Sequence, residues 1–299
     1  VLFGYSYGAW IAQLFTGLVN GCVFILLALG LSIIFGLLGI INFAHGIFYM
    51  LGAYAGWTVL RLTGNFWLAL AISPLVVGLL GALIESTLFR RVYASKNPTF
   101  SGVLVAYGLA ILAPDFIRLL YGRPGKPFPM PAILSGNVFT IGDTEVSAYR
   151  VFVIGVTAFL LPALWYLLNK TNLGMVIRAG TSDNLMVQAM GINLSRIWTI
   201  TFGLGIALAA FAGVVIAPLT AVTPEIGGVV LIQCFIVVVV GGMGSFTGAV
   251  VGGLLIGQVL TLTSLIYDVL GDIIIYAAMA AVLLVRPRGL FGEEGAFEG

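Results

Sequence analysis

NKTNLGMVIRAGTSDNLMVQAMGINLSR, Asn169–Arg196, is a polar interruption with apolar runs leading up to it on both sides. Flanks long enough to cross a bilayer place this stretch in water at a membrane surface. Leu173, Val176 and Ile177, then Leu185, Met186, Ala189 and Met190, recur three and four apart, with Arg178, Asp183, Asn184 and Gln188 between them. That is the spacing of short amphipathic helices. Ser182 or Asp183 can cap the second one, because a short side-chain oxygen accepts an amide hydrogen left without a partner at a helix start. Gly191 can end it, since glycine tolerates a left-handed backbone. A surface built this way can receive a partner, although the same periodicity also describes an ordinary membrane-surface loop.

The rest of the composition agrees with a membrane setting. Of 299 residues, 61% are hydrophobic and 8% charged, where a soluble domain carries roughly 25% charged residues. The chain reads as an all-α integral membrane protein. A net charge of +2, with no basic run interleaved with aromatics, gives no nucleic-acid footprint. Cys22 and Cys234 both sit inside apolar runs away from any CxxC spacing, so small core residues are expected rather than a disulfide framework or a metal site. No charged-then-apolar leader with a small-residue cleavage site opens the sequence, and insertion is expected to use the first span itself. Forty glycines predict close helix packing, because apolar burial gives little drive for association in lipid.

Crossing about 30 Å of hydrocarbon takes roughly 20 helical residues. Runs that approach this length between charges, prolines or glycines are 10–35, 43–60, 66–89, 102–120, 151–168, 197–218, 229–240, 246–265 and 273–285. The seventh reaches only about 18 Å at 1.5 Å per residue, so it is either a broken half-helix or continuous with its neighbour across Gly241–Gly244. Eight or nine transmembrane helices are therefore expected. Lysine and arginine are retained on the cytoplasmic side of short loops. This places Arg90, Arg91 and Lys96, then Lys170, Arg178 and Arg196, then Arg286 and Arg288 inside. The proline-rich loop 121–148 then lies outside, against a contrast weakened by Arg118, Arg123, Lys126 and Arg150. With nine spans the amino terminus is outside and the carboxyl terminus inside.

Two places break the apolar pattern in the same way. Gly36-Leu-Leu-Gly39-Ile-Ile-Asn42-Phe43 and Gly241-Gly242-Met-Gly244-Ser245-Phe246 each set glycines, then a capping residue, then a phenylalanine opening a new helical run. An internal repeat with glycine-broken helices is expected, with Asn42 and Ser245 at the helix ends; in transporters built from repeats such breaks mark the substrate route. His45, the sole histidine, and Tyr49 and Gln233 put polar tips in apolar surroundings, which serves either to hold helices together or to line a path. Glu85 stands shortly before Arg90 and Arg91, where an ion pair or snorkelling explains it.

No GxxxxGK[ST], HExxH or GxSxG stretch occurs, nor a carboxylate pair within an apolar span. No catalytic residue, metal site or cofactor is expected, and any nucleotide must be bound elsewhere.

LGMVIRAGTSDN followed by AMGIN is similar to the cytoplasmic coupling segment in permeases of ATP-driven branched-chain amino acid importers. INFAHG with FYMLGAY after it, VVGGMGSFTGAVVGG and the terminal RPRGLFG resemble further signature stretches of the LivH-type permease, in the family's order over nearly the whole chain. The resemblance implies a single transmembrane permease domain over 1–299, with a coupling segment at 170–196, in a bacterial inner membrane. It also implies a second permease, related or identical, two ATPase subunits that bind the ATP, and a soluble binding protein. Coupling to the ATPase would fall to Arg178, Asp183, Asn184, Gln188 and Gly191, and the substrate path to Asn42, His45, Ile47, Tyr49, Gln233 and Ser245. Where the family usually has an acid after the His-Gly pair this chain has Ile47, and where a lysine commonly precedes the second glycine cluster it has Gln233. A neutral lining is expected from those two positions, with a cargo that is a branched-chain amino acid or a related small organic solute such as an aromatic acid or amide. The rival reading is a stand-alone secondary transporter or channel, which would want an ion-coupling carboxylate at mid-membrane. The acids Asp115, Glu225, Asp268 and Asp272 instead cluster near span ends and loops. A purely structural scaffold is disfavoured by the glycine-broken helices.

Overall fold

The computed structural model describes residues 7–38, 42–93, 95–141 and 144–292; the side chains of a few residues inside those ranges, Asn184 among them, lie outside the description, as do Gly39–Ile41 of the first glycine-rich break. In order, the helices are α1 (Tyr7–Leu38), α2 (His45–Thr63), α3 (Phe66–Ile84), α4 (Arg90–Tyr93), α5 (Pro98–Tyr121), α6 (Ala148–Lys170), α7 (Asn172–Ser182), α8 (Asn184–Ala189), α9 (Leu194–Ile216), α10 (Ile226–Gly241), α11 (Phe246–Ile266) and α12 (Asp268–Val285). A π-helical turn, Glu85–Phe89, joins α3 to α4. The expectation of an all-helical chain needs one correction. The loop between α5 and α6 carries an antiparallel hairpin, β1 (Asn137–Ile141) with β2 (Thr144–Ser147).

Every apolar run predicted from sequence falls on one of these helices. Among the described residues, six stretches are long and apolar enough to cross a membrane, in α1, from α3 through the π-helical turn into α4, in α5, in α6, from α9 to Leu219 and in α11; Ile226–Gly241 and Ile273–Val285 are apolar but shorter. Helix α5 starts four residues before the predicted span because Pro98 occupies its first turn, where a missing N–H costs nothing. The seventh run is broken rather than continuous. Helix α10 stops at Gly241, and Gly242 and Gly244 take φ of 107° and 81°, a left-handed backbone that side chains disfavour.

Carbonyls left open where α10 ends are met by the terminal segment: Leu290 N–H donates to Val240 O and Phe291 N–H to Gly241 O, each at 2.9 Å. The turn at Gly289, φ 80°, aims these amides. The motif RPRGLFG thus closes the end of α10, satisfying groups that would be costly to leave unpaired in an apolar setting.

Two compact units divide the chain: Val1–Ala28, Pro129–Leu160 and Gln233–Gly299 form one, Leu29–Phe128 and Leu161–Ile232 the other. In the first, α11 packs on α12 and meets the opening half of α1 through small residues, with Gly257 directly against the backbone of Gly21. In the second, α9 lies against α2 and α3, and its span is 78% buried against 11% for α5. Contact is backbone to backbone: a Cβ on Gly30 would stand 2.5 Å from the carbonyl oxygen of Gly205 and 3.1 Å from His45 Cε1, and one on Gly52 would fall on the backbone of Ala210.

These contacts fix a height. Gly205 is the midpoint of α9, so His45, the first residue of α2, starts that helix halfway up. Gly46 abuts Gly227 in the first turn of α10, which therefore opens at the same level. Gly52→Ala should push α2 off α9 and lower stability by about 1–3 kcal/mol. Gly155→Ala in α6, where an added Cβ meets nothing, should leave the unfolding temperature in detergent unchanged or slightly raised.

Candidate functional site

Where α2 and α10 open, a cavity of about 150 Å³ lies within the second unit, lined by Phe43, Ile47 and Met50 from the start of α2, Ala110, Pro114 and Arg118 from α5, and Pro224, Glu225, Gly227, Gly228 and Leu231. Its wall is apolar except at one end. There Arg118 Nη2 donates to Glu225 Oε1 at 2.9 Å and Arg118 Nη1 to Asp115 Oδ1 at 2.5 Å. Asp115 and Arg118 meet because three residues separate them on one helix face; Glu225 is brought in by the fold.

Of the residues expected on the path, Ile47 lines this cavity and is nearly buried, at 6% exposed. Asn42 is buried, and its Oδ1 accepts the Ala44 N–H at 3.0 Å while its carbonyl accepts that of His45 at 3.0 Å. It holds the entry to α2. His45 is fully buried against Gly30, and Tyr49 is buried with its carbonyl against Gly213; neither is among the cavity residues. Ser245 caps α11, its Oγ accepting the Gly248 N–H at 3.0 Å. Gln233 is half-buried in α10 and belongs to the other unit. Ile47 is a neutral part of this lining and Gln233 is not part of it; the charges at the cavity, Arg118 and Glu225, come from other positions. In the sequence these residues stand as charges near span ends and loops. The one signal available was the spacing of Asp115 and Arg118.

The water-facing segment takes the form its periodicity predicted. Thr171 caps α7, its Oγ1 accepting the Gly174 N–H at 3.3 Å, and Asp183 rather than Ser182 caps α8, its Oδ1 accepting the Met186 N–H at 2.9 Å. Arg178 donates to the Leu168 carbonyl near the end of α6. Gly191, φ 80°, turns the chain after α8. Beside that turn is an open cleft of about 370 Å³ lined by Gln188, Gly191, Ile192, Asn193, Leu194, Ser195 and Trp198. Met175, Met186 and Met190 stand exposed on the segment; methionine is a flexible, polarisable contact residue common at protein-binding surfaces.

Just past this segment, α9 is held by Glu85. Its side chain is fully buried, Oε2 accepts from Thr199 Oγ1 at 2.5 Å and lies 3.9 Å from Arg90 Nη2, which also donates to Thr199 at 2.9 Å. Of the two explanations open in the sequence, the ion pair is the one formed. Thr199 stands in α9 just beyond the water-facing segment, so this contact ties the start of α9 to the π-helical turn that follows α3.

Helices at membrane-crossing length, half-height helix starts beside a cavity and a capped water-facing segment define a membrane-embedded transport subunit. The family described as "Branched-chain amino acid transport system / permease component" matches residues 13–283. The chain is 30% identical to the high-affinity branched-chain amino acid transport system permease protein LivH of Salmonella typhimurium, over 95% of this chain and 96% of that one. It is equally 30% identical, over the same shares, to BraD of Pseudomonas aeruginosa, and 28% identical to a probable LivH of Methanocaldococcus jannaschii over 90% and 89%. The chain belongs to this permease family.

A Cβ on Gly228 meets nothing, whereas one on Gly227 would meet the backbone of Gly46. Gly228→Leu should therefore keep the unfolding temperature and, by filling the cavity, abolish uptake in membrane vesicles; Gly227→Leu should lower both.

Proposed function

We propose that the chain is the permease subunit of an ATP-binding-cassette importer, a multi-pass protein of a bacterial inner membrane that forms the path for branched-chain amino acids or a closely related solute. Eight or nine crossings, arranged as two glycine-broken repeats in one permease domain, make the hole. A second permease, related or identical, completes it. A soluble binding protein delivers cargo from outside, the side of the loop 121–148. Two ATPase subunits bind and hydrolyse the ATP, and this chain carries no cofactor of its own.

The observation that carries this reading is the capped pair α7–α8 with its exposed methionines, set directly before α9. Helix α9 is largely buried and touches α2, whose first turn lines the cavity. A push on the segment moves α9, and with it the cavity wall. Asp183 and Gln188, both exposed, face the motor; Arg178 and Gly191 hold the shape that it grips, and Asn184 belongs to the same surface. Asn42, His45, Ile47, Tyr49, Gln233 and Ser245 form or support the path.

In native membranes, a crosslinker placed at Asp183→Cys or Gln188→Cys should capture a nucleotide-hydrolysing neighbour, and vesicle uptake should require ATP and that neighbour. Uptake by this chain alone would instead favour the stand-alone transporter.

A further inference from the structure

We infer that Arg118 and Glu225 form an exchange clamp for a zwitterionic α-amino acid, the cargo carboxylate taken by Arg118, its ammonium by Glu225, and its apolar side chain by Ile47, Met50 and Leu231. The inference rests on the permease reading above and adds to it the residues that meet the cargo.

Three observations carry it. The cavity has two parts, an apolar wall and one charged end, and a branched aliphatic amino acid has the same two parts, which is how pockets match small ligands. The second is a charge count. Arg118 is shared between Asp115 and Glu225, so two carboxylates face one guanidinium and a negative charge is left over. A zwitterionic cargo adds one charge of each sign and leaves that surplus at one, whereas a simple carboxylic acid would raise it with a third negative charge. Third, Asp115 and Glu225 have side chains 65% and 58% exposed, and charges in or beside a spanning helix are expensive against hydrocarbon. This end of the cavity therefore opens to water or protein.

Exchange is cheap in this arrangement. Without cargo the two side chains satisfy each other, at 2.9 Å. With cargo the single pair becomes two, carboxylate on guanidinium and ammonium on carboxylate, so Arg118 and Glu225 each keep a partner of opposite charge. Asp115 touches Arg118 rather than cargo and acts as a positioning residue.

The test uses the assembled importer in proteoliposomes, with its partner subunits and binding protein, and reads L-leucine moved per ATP hydrolysed. Arg118→Gln and Glu225→Gln should each lower that yield about tenfold or more, the loss expected when a charged hydrogen-bond partner is removed. The double variant should remain as low as either single. Arg118→Lys, which keeps the charge without the fork, should fall between. Co-purification of the subunits and thermal unfolding identify a variant that merely fails to fold, in which case Arg118→Lys and Glu225→Asp carry the comparison. A double variant restored to the wild-type yield would overturn the clamp, because the two charges would then matter only to each other, as a latch between α5 and the start of α10. Wild-type yield in both single variants would overturn it as well. A wild-type assembly whose cargo is an uncharged solute or a simple anion would also overturn it and leave the permease reading standing. An assembly that moves no solute with ATP would overturn the permease reading instead.

Discussion

Helices in lipid gain little from burying apolar side chains against one another, so their association depends on how closely the backbones can approach. In this chain that approach is made at small residues, and its position matters more than its strength. Gly30 and Gly205 bring α1 and α9 to near contact, and His45 occupies the remaining space beside them. Because Gly205 is halfway along α9, α2 must begin halfway up, and the contact of Gly46 with Gly227 brings α10 to the same level. A bundle of full-length helices would leave no gap at that height. Two helices that start there leave one, and the cavity is its consequence.

Breaking a helix inside a membrane exposes amides and carbonyls that water does not reach. Among the described residues, the start of α2, the end of α10 and the start of α11 each find partners. Asn42 accepts the amide of Ala44 before α2, Ser245 accepts that of Gly248 in α11, and the terminal Leu290 and Phe291 donate to the open carbonyls of α10. The conspicuous motifs of the sequence, INFAHG, GGMGSF and RPRGLFG, are therefore in large part the chemistry of stopping and restarting helices. The side chains that meet the cavity's charged end lie outside all three.

That division explains what could be read from the sequence. Helix positions were legible because apolar runs near twenty residues have few alternatives, and the caps at Asp183 and Ser245 were legible because capping is local. The start of α2 at half-height was not, since it is set by Gly30 and Gly205, 175 positions apart in the chain. For the same reason the sequence leaves open whether His45 and Tyr49, polar and near a glycine break, line a path or hold helices together, and folding buries both. Arg118 and Glu225 looked like ordinary charges at span ends until folding placed them on one cavity. The hairpin in the loop after α5 was hidden by the prolines that precede it.

The measurement that bears most directly on the half-height cavity is thiol accessibility in membranes holding the assembled transporter, made favourable by the burial of both native cysteines, Cys22 and Cys234. Ile47→Cys and Leu231→Cys should react with a water-soluble, membrane-impermeant thiol reagent at a rate that changes when ATP is trapped, while Tyr49→Cys should stay inert. Ile47→Cys that is silent in every nucleotide state, or reacts only with a lipid-soluble reagent, would contradict a water-filled path at that height.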